Sequence, residues 1–310
     1  MEYHGIRLNL GEEKEGKPLG EPALLGDLYA QKQFSEGWTL YRTLRETGAV
    51  GAAEHLLGAR CARGRGDLFG ARWALNDAVE SATEGPVLGQ VRFTYGLVLR
   101  EIGEFGTAIE FLSACIQGMH GYAELAPVME GPAYYNLGLA LRQTRRFPEA
   151  LSAYREAAAR FRAEGMRTYL CMTLHNMAWV ACLVGDLPTA QSALGEAEPL
   201  CDTGDLRVHQ SIGQAFAHSL GGPAEQEQAM RTCEGLTKAD HAPAHIRSHA
   251  YWLAGKVALA TDRLELAESL ARNALDWGAR SAEESRCLRD AADLLREIRQ
   301  RQLSLNSSGS

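Results

Sequence analysis

The sequence contains no stretch of about twenty apolar residues, and no apolar run follows a charged segment at its N-terminus. We therefore expect neither a membrane span nor a secretion signal. The sequence also lacks a run rich in Lys and Arg, and its net charge is −7. Because phosphate binding needs a basic surface, this composition argues against nucleic-acid binding. The expected protein is cytoplasmic, and it contacts neither membranes nor nucleic acids.

Motifs of the common enzyme classes are missing as well. The sequence has no GxSxG, no P-loop, no HExxH and no GxGxxG that follows a strand. Each of these motifs supplies a nucleophile, a phosphate cradle or a metal ligand set. We therefore predict no catalytic residue and no cofactor, and we expect a protein that is not an enzyme.

Metal-ligand patterns are sparse too. The seven cysteines form no CxxC pair, and most lie in apolar segments, so they are expected to be small buried thiols. His241, His245 and His249 recur every four residues, a spacing that can place imidazoles on one helix face. Pro243 is expected to open this helix and to leave His241 outside it. No metal site is predicted.

What the sequence does contain is a repeat. The stretch Tyr134–Ala157 returns as Leu174–Ala197, and both Gly138 to Ala178 and Ala150 to Ala190 are separated by 40 residues. Small residues of this kind mark the contact between two helices of a hairpin. Alanines in the equivalent place are spaced 37, 42, 40, 39 and 38 residues apart, at Ala71, Ala108, Ala150, Ala190, Ala229 and Ala267. Such a period predicts a stacked helical array.

The two segments resemble the tetratricopeptide repeat, or TPR. The resemblance is carried by Tyr134, Leu137, Gly138, Leu141, Ala150, Tyr154 and Ala157, by Leu174, Met177, Ala178, Ala181, Ala190, Leu194 and Ala197, and by the turn Gly185–Pro188. The spacing exceeds the usual repeat of about 34 residues. In this greater length the chain resembles the bacterial TPR peptide-pheromone receptors of the Rap, PlcR and arbitrium-receptor type.

The resemblance implies an all-α fold, a right-handed superhelical array of about seven TPR-like helical hairpins. We predict a flexible arm over residues 1–20, the array over 21–280, a capping helix over 281–303 and a disordered tail over 304–310. The capping helix is expected to bury a stripe of Leu288, Ala292, Leu295 and Ile298. The second helix of the third hairpin is expected to run toward Leu125 and to be stopped by Pro127 and Gly131–Pro132.

In a TPR array the first helix of each hairpin lines a concave groove. By that resemblance the candidate groove residues are Arg60, Phe93, Arg100, Tyr135, Asn136, Arg142, His175, Asn176, Trp179, Gln214, His218, His249, Trp252 and Lys256. This set has no Asp or Glu, which favours a peptide or protein ligand with an anionic or C-terminal carboxylate group. The alternative is that these side chains only pack between hairpins.

Three functions follow from these observations. The first is a non-enzymatic scaffold that binds a peptide or protein segment in the groove. The second is a peptide-responsive regulatory receptor that controls a partner protein, as the longer repeats suggest. The third is an oligomerisation or assembly module, for which the homo-oligomer would be the functional form.

Overall fold

A computed structural model of the chain describes residues 21–48, 50–119, 126–240, 242–281 and 284–308. These residues form helices joined by short turns, and no strand occurs among them. The all-α fold class is therefore confirmed. The predicted arm over residues 1–20, the final residues 309–310 and His241 lie outside the described residues. None of the described helices is long and apolar enough to cross a membrane.

The chain divides into two compact units, and the boundary between Arg160 and Phe161 falls within helix α8. The first unit contains α1 (Glu21–Ala30), α2 (Phe34–Glu46), α3 (Ala52–Gly64), α4 (Leu68–Ser81), α5 (Gly85–Ile102), α6 (Phe105–Met119), α7 (Ala126–Gln143) and most of α8 (Phe147–Ala163). Its helices pair as the predicted hairpins, with α1 against α2, α3 against α4 and α5 against α6.

The second unit contains α9 (Arg167–Leu183), α10 (Leu187–Ala197), α11 (Gly204–Ser219), α12 (Pro223–Lys238), α13 (Ala244–Ala260), α14 (Leu264–Gly278) and α15 (Glu284–Ser308). A single 3-10 turn, Glu198–Leu200, follows α10. Helices α9 and α10, α11 and α12, and α13 and α14 form three further hairpins, and α15 packs on α13 and α14.

Side-chain size explains why the helices of each hairpin approach so closely. All six alanines of the repeat series are fully buried. A Cβ atom added to Gly138 would lie 2.6 Å from the Tyr154 ring, closer than packed atoms can come. The same holds for Gly96 against Leu112, also at 2.6 Å. The small residues that define the repeat thus lie where the two helices of a hairpin are in closest contact.

The turns contain the residues that end one helix and begin the next. Gly185 adopts a φ of 76°, the left-handed region that glycine enters without steric cost. Asp186 then caps α10, since its side chain accepts a hydrogen bond from the Thr189 backbone N–H. Pro188 follows in the first turn of α10, where its missing N–H leaves no bond unmade.

Helix α7 differs from the prediction. It begins at Ala126 and continues through Pro132, whereas Pro127 and Gly131–Pro132 were expected to stop a helix that arrives from α6. Pro127 lies in the first turn of α7. Helix α6 is described as far as Met119, and the predicted continuation toward Leu125 lies outside the described residues. Proline inside a helix removes one hydrogen bond. Met129 and Ala133 are fully buried against α6, and this burial offsets the loss.

Helix α15 also differs from the prediction. Its buried side chains are Cys287, Ala291, Leu294 and Ile298, so the packed face is displaced from the predicted stripe at all positions but the last. The helix also continues over residues 304–308, where a disordered tail was predicted. Polar composition alone does not end a helix that is already anchored along one face.

Candidate functional site

Aromatic side chains from three hairpins meet in the second unit. Trp179 on α9 lies 4.8 Å from Phe216 on α11, and 4.7 Å and 5.9 Å from His249 and Trp252 on α13, measured between ring centroids. Phe216 and Trp252 are 5.4 Å apart with perpendicular rings. These four residues, which we call the inner cluster, all lie on the first helix of their hairpin. Ring pairs at such distances attract each other beyond their area of contact.

The inner cluster is almost closed. Trp179 and Trp252 are each 8% exposed, Phe216 is 5% exposed and His249 is 3% exposed. Trp179 and Trp252 touch although a whole hairpin separates their helices in sequence. The side chains predicted to line a groove here are therefore buried mainly against one another. Trp179 and Trp252 keep the largest exposed fractions of the four.

A set of partly exposed polar residues adjoins the inner cluster in sequence, and we call it the polar rim: Asn176, Gln214, His218 and Lys256. Gln214 and His218 are one helical turn apart on α11, on either side of Phe216. The buried Nδ1 atom of His218 has no hydrogen-bond partner within the described residues. A polar atom in that state favours a ligand or a water molecule as its partner.

Two members of the polar rim already have partners. The amide of Asn176 donates a hydrogen bond of 2.9 Å to the Met172 carbonyl, one turn earlier on the same helix. The Lys256 ammonium lies 3.0 Å from the Glu297 carboxylate on α15. The sequence-based groove set has no acidic residue, but the fold supplies Glu297 beside its only lysine. Gln214 and His218 are therefore the more available members of the rim.

A buried polar contact lies next to the inner cluster. His175 on α9 shares a hydrogen bond of 2.9 Å with Gln210 on α11, through Nε2 and Oε1. Gln210 in turn donates to the Leu194 carbonyl. Burial lowers the pKa of His175, and the bond to Gln210 offsets only part of that effect. His175 is consequently neutral at neutral pH and holds α9 against α11.

The first unit contains a different arrangement, an arginine cluster of Arg60, Arg63 and Arg100. The Arg63 guanidinium makes two hydrogen bonds, of 2.6 Å and 2.9 Å, to Glu101. Arg100 lies 3.5 Å from the same carboxylate. Arg60 has no ion pair within the described residues and makes only long contacts with Thr94 and Gln90. Burial lowers the pKa of both Arg60 and Arg100. Among these three residues, Arg60 is the one whose contacts within the described residues are all with neutral groups.

The remaining predicted residues of the first unit divide by burial. Phe93 is 5% exposed and packs in a core cluster with Leu112 and Met129. Asn136 is 8% exposed and donates to the Pro132 carbonyl of its own helix. Tyr135, 6.2 Å from Tyr154, and Arg142 are partly exposed. The packing interpretation therefore holds for Phe93 and Asn136.

The sequence-based groove set omits Phe216, which lies between its members Gln214 and His218. In the structure the Phe216 ring contacts Trp179 and Trp252. An aromatic residue between two predicted groove positions was the available sequence signal.

Residues 130–203 match the family model described as tetratricopeptide repeat. The matched region covers α7 to the end of the 3-10 turn and so includes the two segments in which the repeat is clearest. Among curated protein sequences, none matches this chain.

Several solved structures share the fold. A tetratricopeptide repeat protein from Parabacteroides merdae superposes with a TM-score of 0.58 at 15% identity, over 88% of this chain and 97% of that one. The apo form of RapI gives a TM-score of 0.61 at 10% identity, over 90% and 86%. NprR in complex with its cognate peptide NprX gives 0.59 at 15% identity, over 89% and 83%. At these identities the similarity shows the fold alone.

Proposed function

We propose that this chain, which has the fold of tetratricopeptide-repeat proteins, is a non-enzymatic scaffold that binds an extended peptide or protein segment. We place the binding surface on α9, α11 and α13, the first helices of the three hairpins in the second unit. The observation that carries this proposal is the polar rim beside the inner cluster on α9, α11 and α13. The amide of Gln214 can pair with peptide backbone, and the small exposed fractions of Trp179 and Trp252 offer apolar contact. The buried Nδ1 of His218 gains a partner when such a ligand binds.

The arginine cluster extends the proposal to the chemistry of the ligand. Arg60 and Arg100 are partly buried cations, and guanidinium groups bind carboxylates in a two-pronged geometry. A ligand with an anionic side chain or a free C-terminal carboxylate could pair with the Arg60 guanidinium, whose contacts are with neutral groups. We therefore expect binding to this cluster to prefer acidic peptides, and the preference to weaken as salt is added.

Short random peptides, displayed with either a free or an amidated C-terminus, test the proposal. The purified full chain is compared with the double variant Gln214→Ala/His218→Ala, which removes two partly exposed side chains from α11. The matched control is Glu227→Ala/Arg231→Ala, an exposed pair with the same spacing on α12 of the same hairpin. Selected peptides are then measured by fluorescence polarisation.

We expect the double variant to bind selected peptides at least about tenfold more weakly, the cost of roughly one lost buried hydrogen bond. The control should bind as the wild type does. Equal affinity of all three proteins, or a failure of the wild type to select any peptide, would contradict the proposal. The arginine cluster of the first unit is tested by itself: peptides that bind the wild type and Gln214→Ala/His218→Ala equally should lose their preference for free over amidated C-termini in Arg60→Ala.

A second candidate function is a receptor whose affinity for a partner protein changes when a peptide binds. It is favoured by the structural similarity to NprR, which was solved with its cognate peptide. Hydrogen exchange separates this function from that of a passive scaffold. A receptor should change its protection in helices that do not contact the peptide, whereas a scaffold should change it only at the contact.

Self-association stays a prediction. Phe69 on α4, the second helix of its hairpin, is 75% exposed and is the kind of side chain that a homo-oligomer would cover. Light scattering on the wild type and Phe69→Ser distinguishes the cases, because an assembly module that depends on this side chain should lose mass in the variant.

A further inference from the structure

We infer that Cys171, His175 and Cys201 form a binding site for a zinc ion in the second unit. The three ligand atoms approach one another as a metal site requires. The Sγ atoms of Cys171 and Cys201 are 3.6 Å apart, and they lie 3.9 Å and 3.7 Å from Nε2 of His175. This inference does not depend on the proposed peptide binding.

The distances agree with tetrahedral coordination. A Zn–S bond of about 2.3 Å and a Zn–N bond of about 2.0 Å place two sulfurs about 3.8 Å apart, and sulfur and nitrogen about 3.6 Å apart. The observed separations need to change by a few tenths of an ångström at most. Two thiolates and an imidazole are also the donor types that zinc prefers over the oxygen-seeking ions magnesium and calcium.

Local structure brings these residues together. Cys171 and His175 are one turn apart on α9, and Cys201 directly follows the 3-10 turn. The Ala197 carbonyl, at the end of α10, accepts from both thiols. Gln210 Oε1 lies 2.9 Å from Nε2 of His175, so a neutral oxygen donor stands beside the site. These contacts hold the three ligand atoms close together in the metal-free chain, and the Zn–S and Zn–N bonds replace them when the ion binds.

The site is accessible on one side. Cys171 is fully buried and His175 is 9% exposed, but Cys201 is partly exposed. Zinc can therefore enter past Cys201, and the two thiol protons leave to solvent as the Zn–S bonds form. In the structure Nε2–H of His175 donates to Gln210 Oε1, so zinc binding replaces this hydrogen bond: the His175 proton moves to Nδ1 and the Nε2 lone pair then faces the ion. Bound zinc would join α9 to the end of α10, next to the inner cluster.

Metal titration of the reduced full chain tests the inference. Zinc affinity is measured against a chromophoric chelator, and Co²⁺ serves as the spectroscopic probe of thiolate ligation. The variants are Cys171→Ser and Cys201→Ser. The control is Cys182→Ser, which alters a buried thiol on the same helix α9 outside the three. Circular dichroism verifies that each variant is folded.

We expect one equivalent of zinc to bind to the wild type and to Cys182→Ser. Either ligand variant should bind at least about a hundredfold more weakly, since even outer-shell changes cost up to that factor. Co²⁺ should give a sulfur-to-cobalt charge-transfer band in the wild type. A wild type that binds no zinc, or a cobalt spectrum without that band, would overturn the inference, as would equal zinc affinity in all variants.

A second measurement needs no variant. Zinc should slow alkylation of Cys201 in the wild type, read by peptide mass spectrometry, because its partly exposed thiol becomes a ligand. An alkylation rate that zinc leaves unchanged speaks against the site.

Discussion

At the scale of single residues, the repeat depends on positions where a side chain has no room. Gly138 illustrates this, because the Tyr154 ring, itself fully buried, occupies the space that a methyl group would need. Protein interiors are packed as densely as organic crystals, so neighbouring residues cannot absorb such a group without moving. The pairing of Gly138 with Tyr154 therefore fixes how closely α7 and α8 approach.

We predict that Gly138→Ala destabilises the chain by about 1–3 kcal/mol, the usual cost of overpacking. The measurement is urea unfolding followed by circular dichroism. Gly106→Ala is the matched control, since a Cβ on this exposed glycine of α6 would meet no atom within 4 Å. Its higher helix propensity should stabilise the chain by about 0.5–1 kcal/mol. If both variants changed the free energy of unfolding by the same amount, helix propensity, and not packing against Tyr154, would determine the effect of the substitution at Gly138.

At the scale of helices, the last element covers the array. Helix α15 places Leu294 on Gly255 of α13, where an added Cβ would come within 2.8 Å of the leucine side chain. A terminal helix of this kind shields the apolar face of the hairpin before it and presents a charged face to water. The stability of α13 and α14 should consequently depend on the buried face of α15.

Leu294→Ala should lower the free energy of unfolding by about 2–5 kcal/mol, as expected for a fully enclosed leucine. Leu303→Ala, on the same helix but 62% exposed, should change it by less than about 0.5 kcal/mol. Thermal unfolding of both variants provides the comparison. Similar midpoints for the two would mean that α15 contributes little to the fold.

The periodic features of these helices were predictable from sequence, and the exceptions have physical causes. The alanine series located the hairpins because close packing leaves no alternative residue size. The start of α7 was not predictable. A helix through Pro132 loses a hydrogen bond, and whether it forms depends on how much burial of Met129 and Ala133 against α6 compensates, which the sequence does not show. Gly131 also has no Cβ to clash with the proline ring, which reduces the penalty that a residue before proline normally incurs.

The candidate sites were less predictable than the hairpins. Cys171 and Cys201 are separated by a complete helix and a 3-10 turn, so no short spacing motif records their contact. Trp179 and Trp252 meet across an intervening hairpin, which depends on how three helices rotate together. Sequence periodicity identifies which face of a helix is buried, but it does not fix which neighbours that face contacts.

At the scale of the whole molecule, buried histidines make stability depend on pH. His55 in the first unit is 6% exposed and shares a hydrogen bond of 2.8 Å with Tyr41, through Nδ1. Burial lowers the pKa of His55 from its ordinary value of 6.5, and the nearby Asp77 charge offsets part of that effect. Burial also raises the pKa of Tyr41 to about 12, so the tyrosine stays protonated at neutral pH.

Because the folded chain keeps His55 neutral while the unfolded chain takes up a proton, stability should fall as pH drops below 6.5. Burial lowers the pKa of His175 in the second unit as well, so this histidine also makes the folded chain less stable as pH falls. Each histidine contributes at most about 1.4 kcal/mol per pH unit. Urea midpoints between about pH 7.5 and pH 5.5, measured with a metal chelator present, test this. His55→Gln should flatten the dependence, and an unchanged slope would contradict the assignment.

The contact between Trp179 and Trp252 has an optical consequence. Their rings are 5.9 Å apart, and His249 lies 4.7 Å from Trp179, so the emission of both indoles is sensitive to small movements of α9 relative to α13. Any molecule that enters between these helices must separate the rings or press on their exposed edges. The chain therefore contains its own fluorescent reporter at the place where we expect a ligand, and needs no added label to reveal one.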